Sequence, residues 1–422
     1  IMKKSTLLIA SILSALTACS DDPSGYGKGT EPEAEEDVVV PVDYSLGRAM
    51  NKRLGKGMNL GNAWDSQKYT TTLDTYYGAS ITEGKHIPFY PYNNCTYTSP
   101  EIYNQMGKDY EPVAATGCID ALDNGWGNAI KDEYFTILKQ AGFNSVRIPV
   151  RWQHNSDPVS HTVNPERLQG VKEDIQLAIN AGLAVVVNFH HYDELNEAGK
   201  QYSTHPEVYN AEKTHFLGMW AQVAKEMDAF PDTSLVLEIL NEPYMPSSEA
   251  LNDLMTNAYS IIRAAAPNKT IMFESYHMSK FADIKALKLP QDGNIIYSGH
   301  YYEPYSFTHQ GYGYSCNPNL NVSAISDFKS YFATIKKLYP DIDGTSTVPL
   351  NMGEFGVSAL CGAKGPSDFI RAMWAKDVIE SAKKYGVDSW HLWGFTGTGF
   401  DAYNTSTGTW LNGFLDAFGL QQ

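Results

Sequence analysis

Ala184-Val185-Val186-Val187-Asn188-Phe189 runs directly into His190-His191. Its apolar residues follow one another without interruption, whereas a half-exposed antiparallel strand would alternate. Such a strand is buried on both faces, the situation of a parallel sheet covered by helices. Its flanks agree. Upstream, Leu168, Val171, Ile175 and Ala178 recur at helical spacing, and downstream Phe216, Trp220, Val223 and Met227 do the same.

The same unit repeats in both directions. Phe143 to Ile148 reads as the preceding strand and Leu235 to Ile239 as the following one, trailed by a helical stripe at Leu251, Leu254, Ala258 and Ile261. Thr270 to Phe273, Asn294 to Ser298, Val348 to Met352 and Ser389 to Leu392 continue the series, and Gly57 to Leu60 opens it, which makes eight. Repeated βα units build either an open doubly wound sheet or a closed barrel. Polar residues sit directly after strand after strand, where barrel enzymes keep their chemistry. The Gly-rich turn of a dinucleotide fold is missing. The expected fold is therefore α/β, a single (β/α)8 TIM barrel. Residues about 65–125, between strand 1 and helix 1, are far longer than an ordinary connection. This Tyr-rich insertion reads either as a wall beside the site, with Tyr69, Tyr76, Tyr77, Tyr90 and Tyr92 offering a stacking surface, or as surface decoration.

With 422 residues, 43% of them hydrophobic, the chain can bury a full-sized core. Its formal charge of −16 argues against nucleic acid, whose phosphates need a basic footprint, and is compatible with a neutral polysaccharide. Near the N-terminus, Lys3-Lys4 precede an apolar run from Leu7 to Leu16 that is too short to span a membrane. Leu16-Thr17-Ala18-Cys19 resembles a bacterial lipobox, and Cys19-Ser20-Asp21-Asp22 resembles the export signal of surface lipoproteins of Bacteroidota. The expectation is a signal peptide over 1–18, lipidation at Cys19, a flexible acidic linker over 19–43, and one catalytic domain over 44–422. The chain would then be exported and held at the outer membrane or cell surface as a monomer, touching the membrane only through that anchor. Four cysteines remain, an even number that permits two disulfides in an exported protein, and none has zinc-site spacing. Cys95 and Cys118 would close the insertion. Cys316 and Cys361 follow strands 6 and 7, so their loops should be neighbours and bridged.

Reading only the strand ends gives Arg147, His190-His191, Asn241-Glu242-Pro243, His300-Tyr301-Tyr302, Glu354 and Trp393. Two glutamates from the fourth and seventh strands face each other across a closed barrel. Glycosidic cleavage needs such a pair, one carboxyl to protonate the leaving oxygen and one to attack the anomeric carbon or activate water. Each supporting residue alone also has a plainer reading: a histidine after a strand is often only hydrogen-bonded, and Arg147 could be an ion-pair partner. Among competing acids, Glu238 reads as a buried structural group, Glu274 as a residue that could line the cleft, and Asp193 and Glu194 as loop residues.

Phe143-Asn144-Ser145-Val146-Arg147-Ile148-Pro149, Asn188-Phe189-His190-His191, Leu240-Asn241-Glu242-Pro243, His300-Tyr301-Tyr302 and Gly353-Glu354-Phe355-Gly356 together resemble the motif series of glycoside hydrolase family 5. Gly57-Met58-Asn59-Leu60-Gly61-Asn62 and Trp390 to Trp393 extend the match, in family order. The resemblance implies a retaining β-glycosidase with Glu242 as acid/base and Glu354 as nucleophile. Glu242 would have to carry a proton near neutral pH, favoured by burial and by the charge of Glu354. Glu354 would stay ionised through Arg147 and Tyr302. Asn241 would grip the sugar 2-hydroxyl, while His190 and His300 orient carboxylates and hydroxyls. Substrate contacts are implied for Asn59, His191 and Trp393, with Trp390 as the alternative stacking platform, and for Phe307 and His309 in the strand-6 loop. The chemistry needs neither cofactor nor metal. The implied substrate is β-1,4-glucan, cut internally. Mannan, mixed-linkage glucan and xyloglucan are alternatives on the same scaffold. A non-catalytic glycan-binding lipoprotein is the contrasting reading, which two paired carboxylates disfavour.

Overall fold

Alternation along short strands decides which side chains meet inside this protein. The computed structural model describes residues 42–66, 126–157, 159–319, 331, 333 and 347–420. Cys19, Cys95, Cys118, the five insertion tyrosines, the signal segment and nearly all of the linker lie outside the described residues. Pro41–Gln422 forms one compact unit. Its eight parallel strands close into a barrel in chain order: β1 (Lys56–Asn59), β2 (Ser145–Ile148), β3 (Ala184–Asn188), β4 (Leu235–Glu238), β5 (Thr270–Phe273), β6 (Ile295–Tyr301), β7 (Leu350–Phe355) and β8 (Val387–Leu392). Closure is made by β1, which pairs with both β2 and β8.

The outward residues Val185, Val187, Leu235, Leu237 and Ile271 join Val171, Ile175, Phe216, Trp220, Leu251 and Leu254 of the surrounding helices in the main core. Each such aliphatic or aromatic side chain contributes about 1.5–3 kcal/mol on burial. Those helices are α3 (Pro165–Asn180), α5 (Pro206–Met227) and α6 (Ser248–Ala265), preceded by α2 (Asp132–Ala141) and with the short α4 (Asp193–Gly199) between α3 and α5. Their ends follow local chemistry. The Asn164 side chain accepts from the amides of Glu166 and Arg167 to start α3, with Pro165 in its first turn. Gly142, at φ 100°, stops α2 in a left-handed conformation.

The inward residues form two layers. Ala184, Val186, Val236, Met272 and Ile296 make a separate apolar cluster with Met50 and Leu54 of α1 (Ser45–Leu54). This helix precedes β1, packs against β3, β5, β6 and β8, and was absent from the sequence-based expectation. One pleat further along the same faces stand Asn59, Arg147, Asn188, Glu238 and Ser298, all fully buried. The barrel thus changes from apolar to charged towards the C-terminal ends of its strands.

Strand boundaries differ slightly from expectation. Phe143 lies outside β2: its amide donates to the Leu138 carbonyl at the end of α2, and its ring packs against Trp390, Trp410 and Phe418. Strands β6 and β7 run further, taking in His300 and Glu354. The expected Cys316–Cys361 disulfide is formed, with Cα atoms 5.7 Å apart, and ties the loops after β6 and β7. Among the described residues, no helix is long and apolar enough to cross a membrane.

Candidate active site

Arg147 organises the charged layer, and every one of its five N–H donors is used. Nε and one Nη hydrogen donate to the two oxygens of Glu238, at 2.8 and 2.7 Å. The others reach Glu354 Oε1 at 2.6 Å, Asn59 Oδ1 at 2.9 Å and Asn241 Oδ1 at 2.7 Å. Glu274 lies 3.5 Å away. Burial opposes the charge of Arg147, but Glu238, Glu354 and Glu274 outweigh it and hold the guanidinium protonated.

Glu354 accepts from Tyr302 Oη at 3.0 Å as well as from Arg147. His300 bridges the site. Its Nδ1 lies 2.7 Å from Glu242 Oε1 and 3.7 Å from Glu354 Oε2, and its Nε2 lies 3.1 Å from Glu274 Oε1. Burial alone would keep this ring neutral. Glu274 and Glu354, with the bonds to Glu242 and Glu274, raise its pKa well above the ordinary value and so favour the imidazolium. His190 is the opposite case: burial first, then His191, Arg147 and His300, push it well below the ordinary value. Burial pushes Tyr302 well up, helped by Glu354 and Glu242, so it stays a phenol donor. The donors expected to keep Glu354 ionised are in place, but burial works against them. Burial raises its pKa, His300 and Arg147 oppose this, and Glu242 and Glu274 add to the rise. An oxygen of Glu242, one of Glu354 and a nitrogen of His300 all lie within 4.8 Å of one another.

The structure brings Arg147, Asn241, Glu242, His300, Tyr302 and Glu354 together, with His190 beside them, 3.9 Å from Glu354. Trp393 is half-buried and lies parallel to the His190 ring, centroids 5.5 Å apart. A Cβ on Gly61 would come within 2.5 Å of that indole, which explains the glycine at this position. His191 is partly exposed, 3.7 Å from Asp65, and His309 packs against Tyr302 and Tyr305.

Three expected substrate contacts are corrected. Asn59 is fully buried, with Nδ2 donating to the carbonyls of Gly353, His391 and Leu392, so no sugar reaches it; its role is to hold Arg147. Trp390 points away from the barrel axis and packs on Phe143, Phe355 and Phe418. Phe307 is 1% exposed within the apolar core. Glu194 is likewise no loop residue; it is buried in α4.

Sequence reading understated Glu274. It is fully buried and accepts from the Glu242 backbone amide at 2.7 Å, from Ser279 Oγ at 2.5 Å and from His300. A usable signal existed: Glu274 stands one pleat beyond the inward-facing Met272.

Two groups draw carboxylate and imidazole atoms within 4.8 Å, the spacing a cation could bridge. In Glu242–His300–Glu354, both ring nitrogens of His300 already face carboxylates, so a cation there would have to displace one of those contacts. In Asp65–His190–His191, Asp65 Oδ2 has no hydrogen-bond partner.

Carboxyl oxygens within 4.8 Å of each other at the C-terminal ends of barrel strands fit the paired acids of a glycoside hydrolase. Comparison with known proteins narrows the class. The profile described as Cellulase (glycosyl hydrolase family 5) matches residues 106–398, and the chain belongs to that family. Endoglucanase H of Acetivibrio thermocellus is 25% identical over 338 residues, covering 76% of this chain; the chain spans only 35% of that relative. Endoglucanase A of Ruminococcus albus is 26% identical over 334 residues, 72% of this chain and 86% of the relative. Among solved structures, Cel5A of Thermotoga maritima with cellobiose is 27% identical with a TM-score of 0.65, covering 88% of this chain and 99% of that one. The same enzyme with mannotriose gives 26% and 0.66, with the same coverage.

Proposed function

We propose that the chain is a retaining endo-β-1,4-glucanase working by double displacement. The observation that carries the mechanism is the carboxyl spacing: oxygens of Glu242 and Glu354 within 4.8 Å. Retaining enzymes hold their carboxyl groups about 5–5.5 Å apart, and inverting ones roughly 6.5–9.5 Å, to admit a water between them. In the first step an oxygen of Glu354 bonds to the anomeric carbon as the glycosidic bond breaks, and the Glu242 proton passes to the departing oxygen. In the second step Glu242 takes a proton from water, whose oxygen displaces Glu354 from the same carbon. Asn241, whose Oδ1 is held by Arg147, has Nδ2 to offer to the 2-hydroxyl. Trp393 supplies an apolar face for the sugar undergoing cleavage.

β-1,4-Glucan is supported by the names of the relatives, which are endoglucanases. Mannan is the second reading, favoured by the likeness to a barrel solved with mannotriose. Internal cleavage is supported by exposed aromatics on several sides of the carboxyl pair: Trp126 beside His191, Tyr244 after β4, and Tyr312 and Tyr314 after β6. The test is NMR of the anomers released from cellopentaose, with product profiling on carboxymethylcellulose, β-mannan, mixed-linkage glucan and xyloglucan. The expected result is β-anomer first and a fast fall in glucan viscosity. Release of α-anomer would refute retention, and preferred cleavage of mannan would replace the substrate.

Residues 44–422 are proposed as one catalytic domain, acting as a monomer on a lipid anchor at Cys19. Palmitate labelling that survives Cys19→Ala would remove the anchor from this reading.

A further inference from the structure

We propose that Glu274 is a positioning residue for the acid/base, fixing Glu242 through its backbone amide and through His300. This rests on the assignment of Glu242 made above. Glu242 sits at φ +45°, a left-handed conformation that is unfavourable for a non-glycine residue and needs an external hold. Its amide donates to Glu274 Oε2 at 2.7 Å, and its side-chain Oε1 faces His300, whose other nitrogen faces Glu274 Oε1. One buried carboxylate therefore grips both ends of the same glutamate.

Glu274 is itself held by an unusual turn. His277, Met278 and Ser279 take φ values of 56°, 60° and 53° in succession, and the turn delivers the Ser279 hydroxyl to Glu274 Oε2. Three consecutive non-glycine residues in this region amount to local strain, which points to a site worth holding. The groups around the Glu274–His300 pair are Glu242 after β4, Glu354 on β7, Arg147 on β2, Glu238 on β4 and Ser279. Glu274 itself only accepts hydrogen bonds. Burial pushes its pKa up, but His300, Arg147 and Ser279 together bring it to about 2. Negative charge here favours a proton on each nitrogen of His300, and the ring then donates from Nε2 to Glu274 and from Nδ1 to Glu242. That fixes which way the Glu242 carboxyl turns towards the leaving oxygen.

The test compares kcat/KM, which reports the first chemical step, on two substrates. 2,4-Dinitrophenyl β-cellobioside departs without protonation, whereas cellotetraose needs a proton donor. Glu274→Gln is expected to lose on the order of 10²-fold on cellotetraose, the low end of general acid contributions, and less than about threefold on the dinitrophenyl substrate. Ser279→Ala should show the same split at smaller size, and it carries the test if Glu274→Gln does not fold by circular dichroism. Glu242→Ala is the control. If it lacks the split, the acid/base assignment falls and this inference with it. If it has the split but Glu274→Gln or Ser279→Ala loses both substrates equally, or neither, the positioning role alone is overturned.

Discussion

Arg147→Met removes the cation on which three buried carboxylates converge. Glu238 takes two hydrogen bonds from it and Glu354 one, and Glu274 stands 3.5 Å away. Each bond to a charged group is worth about 1.5–3 kcal/mol. The orphaned groups can relax by taking up protons, so the net loss expected is about 3–5 kcal/mol, typical of a broken buried ion pair. That proton uptake gives the loss a sign with pH. Without the guanidinium, the folded pKa values of Glu238 and Glu354, already raised mainly by burial, rise further above the unfolded ones. The folded variant then binds more protons than the unfolded chain, and its stability falls as pH rises. Urea unfolding of both proteins between pH 5 and 8 should show a penalty that is smallest at pH 5, together with loss of hydrolysis throughout. A penalty under about 1 kcal/mol at every pH, or one that grows towards acid, would refute the reasoning.

If Glu354 is the nucleophile, as proposed, it must lose its proton before it attacks, and because burial raises its pKa the acid limb of the kcat/KM profile should lie above 4.5. Tyr302→Phe, which removes a donor to the carboxylate, should move that limb higher still; a limb below 4.5 in the parent would contradict this. Asn59→Ala should cut kcat about tenfold or more through a loosened Arg147 while leaving KM unchanged, and a raised KM would restore Asn59 as a sugar contact. The two tryptophans should separate cleanly. Trp390→Ala is expected to cost about 3–5 kcal/mol in unfolding with little change in KM, and Trp393→Ala to raise KM with little change in stability.

The eight strands were legible because parallel strands buried on both faces leave continuous apolar runs, and Ala184 to Phe189 is one of these. α1 was missed because it stands ahead of the first strand, where the βα rhythm gives no reason to seek a helix. Glu242 and Glu354 were legible by residue type at strand ends, but which neighbours touch sugar was not. That depends on which side of the pleat a side chain takes. Trp390 and Trp393 are both aromatic and three positions apart, yet His391 faces the buried polar layer beside Ser145, which turns Trp390 outward. Asn59 was misjudged because an inward asparagine at a strand end serves a sugar or an arginine equally well. Only the closed barrel brings Arg147 to it.

The charge count over the barrel mouth links these pieces. Glu238 and Glu274 only accept in the hydrogen bonds they make, the first facing Arg147 and the second His300. In the proposed mechanism Glu242 and Glu354 share one proton and so carry a single negative charge. After the first chemical step that charge is unchanged: Glu354 has become a neutral ester and Glu242 an anion. The charge has only moved from one carboxyl to the other. His300 Nδ1 lies 2.7 Å from the first and 3.7 Å from the second, so the same imidazolium serves the charge before and after the transfer. A site already arranged for both states needs little reorganisation as the bond breaks, the condition under which fixed charges accelerate a reaction most. The two carboxylates that never meet the sugar are what make this possible. Neutralising either should therefore slow hydrolysis even where substrate binding is intact.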